Sequence, residues 1–171
     1  MQNKTSTETF AITTDQLLAH WQGHRKLTRK VIDAFPEEKL FSYSIGGMRP
    51  FADMARELIG VSGMGIHGVA TGDWFTHNEL NYYSEDSLLS AVKTKEDLFG
   101  FWDQVTEAIN ETWPLIPEGR FHETDKAFGQ YEGSIWSHVF YFIENENHHR
   151  GQGYVYLRSL GVEPPFFWDR E

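Results

Sequence analysis

The segment from Gly133 to Leu160 most constrains how this chain can fold. At three- and four-residue steps it reads Ile135, His138, Phe142, Asn145, His149, Gln152, Tyr156 and Leu160. That spacing places all eight on one face of a long helix. The ends of the face are mostly apolar and its middle is polar. A face of this kind packs into a core, yet each buried amide or imidazole left without a partner costs about 1–3 kcal/mol. The rest of the chain must supply those partners as hydrogen bonds, water or a metal.

Three further segments share the helical period. Thr13-Thr14-Asp15-Gln16 is a capping-box pattern and predicts a helix running to Ala34 or Phe35, just before Pro36. Its inward stripe is Leu17, His20, His24, Leu27, Val31 and Ala34. A second helix is predicted over about 51–69, with Met54, Glu57, Val61 and Met64 as one stripe. Gly60, Gly63, Gly65 and Gly68 weaken it but allow close backbone approach. A third helix follows the N-cap candidate Thr94 and ends near Trp113, before Pro114, with Leu98, Phe101, Trp102, Val105 and Ile109 as its apolar face. Gly161 is a natural C-terminal cap for the fourth helix. Residues 36–50, 76–94 and 114–131 read as connections, and no convincing alternating strand appears. The simplest architecture is an all-α four-helix bundle over residues 13–171, with a polar arm at 1–12 and an aromatic tail, Phe166-Phe167-Trp168.

Length and charge narrow the function. A chain of 171 residues buries roughly two-thirds of its unfolded surface and needs no covalent staple. Its 25 acidic and 15 basic residues leave a net charge of −10. This balance disfavours a nucleic-acid backbone or an anionic membrane as partner. There is no cysteine, so thiolate metal sites and cysteine nucleophiles are excluded. Met1 to Phe10 lacks the apolar run of a signal peptide, no run approaches a membrane span, and a cytoplasmic location is the expectation. Gly63-x-Gly65-x-x-Gly68 matches a dinucleotide fingerprint as a string, but its glycines fall late in a predicted helix rather than after a strand.

Candidate ligands fall on three helices. Asn145 and His149 are four apart on the last helix, His20 and His24 are four apart on the first, and Glu57 lies in the stripe of the second. Such nitrogen and oxygen donors suit Zn, Ni, Mn or Fe(II). His148, one step round from His149, is a neighbour of the site or a surface residue. His138 is better read as a hydrogen-bonded core histidine, and His67 and His122 as lying outside the site.

The run Asn145-Glu146-Asn147-His148-His149-Arg150-Gly151-Gln152, continuing to Tyr156-Leu157-Arg158 and Leu160-Gly161, resembles the hallmark of the DinB-like (YfiT-like) metalloenzyme family. The chain order agrees: a first helix with Trp21, a long connection, a second helix, Thr71-Gly72-Asp73-Trp74, a third helix, then the His-His-Arg-Gly-Gln helix. The resemblance covers about residues 12–170. It implies up-down-down-up topology and a site of three histidines, one on the second helix and a His-x-x-x-His pair on the fourth. Here His149 matches, Asn145 takes the first place of the pair, and Glu57, by its spacing to Thr71-Gly72-Asp73, takes the second-helix place. Position along the bundle favours His20 and His24 as partners of Asn145 and His149, while the resemblance favours Glu57, so all five are retained.

The implied cofactor is a divalent ion (Zn, Ni, Mn or Fe) on Glu57, Asn145 and His149, bound more weakly than by three histidines. The implied chemistry is thiol transfer or hydrolysis of a small molecule, with a low-molecular-weight thiol as a candidate substrate. The ion would activate a water or thiol, and His20, His24 or His148 would move the proton. Two other readings stand beside it. One is a non-catalytic small-molecule-binding or stress-response bundle with a degenerate metal site. The other is a buried hydrogen-bond network of purely structural role. The aromatic tail is compatible with a homodimer.

Overall fold

Thr13 opens the first helix by the predicted capping box: its hydroxyl accepts from Gln16 N, and the Gln16 side chain accepts from Thr13 N. In the computed structural model, which describes residues 12–171, this helix is α1, Thr14–Ala34. The polar arm expected before it lies outside the described residues, Ile12 apart. A short α2, Glu37–Ser42, interrupts what reads in sequence as a plain connection. Next come α3 (Phe51–Thr71), α4 (Lys95–Thr112) and α5 (Ile135–Ser159). Thr94 caps α4 through Asp97 N, and Gly161 ends α5 at a φ of 75°.

The four long helices form a ring. α1 and α3 each pack on both α4 and α5 and lie diagonally across the bundle. Trp21, Phe51, Leu58, Trp102, Val139, Phe142 and Leu157 are buried in the shared core. The chain is mostly helical but not purely so. A two-stranded antiparallel hairpin, β1 (Thr124–Ala127) and β2 (Tyr131–Ser134), precedes α5 where the sequence reads as loop. Its turn takes Phe128 and Gly129 into positive φ, at 51° and 68°.

Two glycines set how α3 meets α5. A Cβ at Gly65 would lie 2.6 Å from the Phe142 ring, and one at Gly153 would lie 2.6 Å from the Phe51 ring. Each phenyl ring therefore fits against bare backbone. These two contacts fix the register of the helices on either side of the polar middle of α5. No helix among the described residues is long and apolar enough to cross a membrane.

Candidate functional site

Between those two glycine contacts, the polar middle of α5 faces α3. His149 Nε2 lies 3.2 Å from Glu57 Oε1, and Asn145 Nδ2 lies 3.4 Å from the same oxygen. The other carboxylate oxygen, Oε2, accepts from the guanidinium of Arg49. Arg49 belongs to the connection between α2 and α3. It is held by the Tyr82 ring, 5.2 Å below its Cζ, and by its own carbonyl, which accepts from Tyr156 OH at 3.0 Å. Glu57 and His149 are both buried, 7% exposed.

The tautomer of His149 follows from its neighbours. Gln152 Nε2 lies 3.0 Å from His148 Nε2, so its amide donates there and turns Oε1 toward His149 Nδ1, at 3.2 Å. An amide oxygen can only accept, so Nδ1 carries a hydrogen. Nε2 then meets Glu57 Oε1, which also only accepts in its ionised form. The ring orientation set by Gln152 thus aims Nε2 at the Glu57 carboxylate.

Burial alone would raise the Glu57 carboxyl. The hydrogen bonds from His149 and Arg49, with the Arg49 charge, outweigh it and bring the group down to about 2. Glu57 is thus an anion whose two oxygens are both engaged. It also forms part of the wall of a cleft of about 400 Å³, alongside Phe75, Tyr83, Phe128, Tyr131 and Tyr141. Burial and the Glu57 charge both push the Tyr83 and Tyr141 phenols up, so each stays protonated as a donor near neutral pH. Asn81 and Gln130 add amide groups to the same cleft.

Does this set fit a divalent cation? The donor spacing does: 3.2 and 3.4 Å are edges of a coordination polyhedron with bonds of about 2.0–2.2 Å. The charge does not. Among the described residues no three His, Asp or Glu side chains gather as a ligating group. Here one imidazole, one neutral amide and one carboxylate converge, and the carboxylate already carries Arg49. A dication would share that one negative charge with a guanidinium that repels it. With Arg49 in place, the residues do not fit a resident divalent ion.

His20 and His24 are not brought to Glu57. His24 is buried and meets a neighbouring edge of α5, whereas His20, expected on the inward stripe, is exposed and meets His24 alone. Arg150 Nη2 donates to His24 Nδ1 at 2.8 Å, which leaves the His24 Nε2 hydrogen for His20 Nε2, 3.2 Å away. Thr28 Oγ1 lies 2.5 Å from Glu146 Oε1, and Arg25 Nη1 lies 3.8 Å from Glu146 Oε2. Arg25 and Glu146 are fully buried. This is a second polar centre, between α1 and α5. Its cause is angular: Arg150 follows His149 by one residue and so points about 100° round the helix. His148 is exposed; it touches the first centre through Gln152 and through an edge-on contact with the His149 ring, 5.1 Å between centroids. His138 Nε2 donates to the Asp125 carbonyl, 3.1 Å away, as a core histidine should.

Periodicity puts Glu57, Asn145 and His149 on inward faces, and the structure brings the three together; it gives no sign of Arg49, whose connection has no period. It also misses Arg25, Glu146 and Arg150. For Glu146 and Arg150 the signals were their four-residue spacing, which runs beside the stripe rather than in it, and their place in the hallmark run; Arg25 had neither.

Comparison with known proteins places this geometry in context. The model of the DinB family matches residues 1–169. None of the curated proteins matches the chain. A DinB-like protein of Bacillus cereus ATCC 10987, known as a crystal structure, is similar with a TM-score of 0.68 and 16% identity, covering 89% of this chain and 95% of that one. The DinB-like protein YjoA of Bacillus subtilis gives 0.70 and 16%, covering 91% of this chain and 99% of that one. At such identities these two likenesses bear on the fold alone.

Proposed function

The chain belongs to the DinB family, and from that premise we propose that it is a small-molecule-binding bundle whose Glu57 centre works without a resident metal ion. The observation that carries this reading is the engagement of both Glu57 oxygens, Oε1 by His149 and Asn145 and Oε2 by Arg49, at the wall of an aromatic cleft. A volume of about 400 Å³ suits a small organic ligand. The phenols of Tyr83 and Tyr141 donate, Glu57 accepts, and Phe75, Phe128 and Tyr131 offer ring faces. These features favour an uncharged ring compound bearing one acceptor and one hydroxyl or amine donor. The same reading takes the helix pairings as an up-down-down-up bundle of one domain, acting in the cytoplasm and in a stress response. The exposed Phe166, Phe167 and Trp168 are the surface it offers to a second copy.

The test is a thermal-shift screen of neutral ring compounds, in the presence and absence of chelator. Binding that survives chelator and is lost in Tyr141→Ala supports the reading. A melting temperature that falls when chelator is added would sink it.

A second reading is cation-dependent thiol transfer or hydrolysis, with a low-molecular-weight thiol as substrate. What favours it is the convergence of Glu57, Asn145 and His149 within 3.4 Å at one oxygen. It requires Arg49 to leave the carboxylate.

A further inference from the structure

We infer that Arg49 is the built-in cation of this centre, and that its removal turns Glu57, Asn145 and His149 into a site for a divalent ion. The inference deepens the metal-free reading and rests on it.

Three observations carry it. First, donors from two helices already stand at coordination spacing, 3.2 and 3.4 Å from Glu57 Oε1. No helix need move for them to share an ion. Second, Gln152 holds the His149 ring by Nδ1 and so directs Nε2 at that oxygen, the orientation a ligating imidazole requires. Third, the one group that opposes an ion is not part of the packed helices. Arg49 comes from a connection, and its side chain is 31% exposed. What anchors its backbone is the carbonyl bond from Tyr156, which a change of side chain leaves in place. The centre thus separates shape from charge. The helices supply the donor geometry, and a single loop side chain supplies the positive charge that a metal would otherwise bring.

Removing one positive charge about 5 Å from a dication changes its affinity at least tenfold even with water-like screening, and more in a buried site. Arg49→Ala and Arg49→Met empty the charge, Met keeping much of the stem, whereas Arg49→Lys retains it.

The experiment is Zn²⁺ and Mn²⁺ titration of the full chain and these variants by calorimetry, with bound metal counted by mass spectrometry after desalting and folding checked by circular dichroism. The expected result is one ion per chain in Arg49→Ala and Arg49→Met, at least about tenfold tighter than in the wild type, with Arg49→Lys like the wild type. Adding His149→Ala to Arg49→Ala abolishes the uptake. Stoichiometric tight uptake by the wild-type chain overturns the inference, however the variants fold. So does failure of a folded Arg49→Ala or Arg49→Met to gain an ion. Neither result depends on whether the cleft binds an organic ligand, so the fate of the ligand-binding reading is decided separately.

Discussion

Glu57 Oε1 and His149 Nε2 meet 3.2 Å apart, and that contact joins the second turn of α3 to the middle of α5 at a buried point. Each group satisfies a charge or a hydrogen that the other could not leave unpaired in the core. Glu57→Gln removes the carboxylate that Arg49 and His149 share, and a loss of about 2–4 kcal/mol in folding free energy is expected. In a double-mutant cycle with His149→Ala, urea denaturation should give a coupling energy of about 1 kcal/mol or more. Simple additivity of the two substitutions would mean that the contact contributes nothing.

The second polar centre predicts a pH dependence. Burial, with the nearby charge of Arg150, lowers His24 from 6.5 to about 3. Between those values the folded chain binds fewer protons than the unfolded chain. The His24 contribution is therefore fully present above pH 6.5 and is lost as pH falls through the window toward 3. His24→Asn keeps an acceptor for Arg150 but does not titrate. Its urea midpoint should change less than that of the wild type between neutral pH and the middle of this window. Equal acid sensitivity in the two proteins would exclude His24 as a source.

The glycine contacts predict a packing effect. Gly65→Ala gains helix propensity of about 1 kcal/mol, but its Cβ would lie 2.6 Å from the buried Phe142 ring. Overpacking of this kind costs about 1–3 kcal/mol, so a lower melting temperature is expected. Phe142→Leu in the same chain should relieve part of the loss. A Gly65→Ala protein as stable as the wild type would show that Phe142 can move aside.

Much of the bundle could be read from local rules. The Thr13 capping box, the Thr94 cap and Gly161 mark helix ends because each satisfies specific backbone groups within a few residues. Asn145 and His149 were legible for the same reason, since a four-residue spacing fixes a common face. Glu57 stood in the stripe of its own helix, and its spacing to Thr71-Gly72-Asp73 gave it a second reason through the resemblance. What could not be read was azimuth and the path of the connections. His24 meets α5 as its stripe suggests, but at Arg150 rather than His149, because one residue of rotation separates two polar edges, and His20, a turn earlier, is left exposed. Arg49 lies in an aperiodic stretch, and only the folded path brings it over Glu57. The hairpin escaped because each strand has four residues and its turn relies on Phe128 at positive φ, which no simple turn pattern announces.

We propose that the charge of Arg49 makes a resident metal unnecessary at Glu57, Asn145 and His149. The most direct test is the metal content of the wild-type chain, produced without a nickel column and measured by inductively coupled plasma mass spectrometry. The expected result is no ion in stoichiometric amount, and a melting temperature that chelator leaves unchanged. One Zn, Ni, Mn or Fe per chain, absent from His149→Ala, would contradict it.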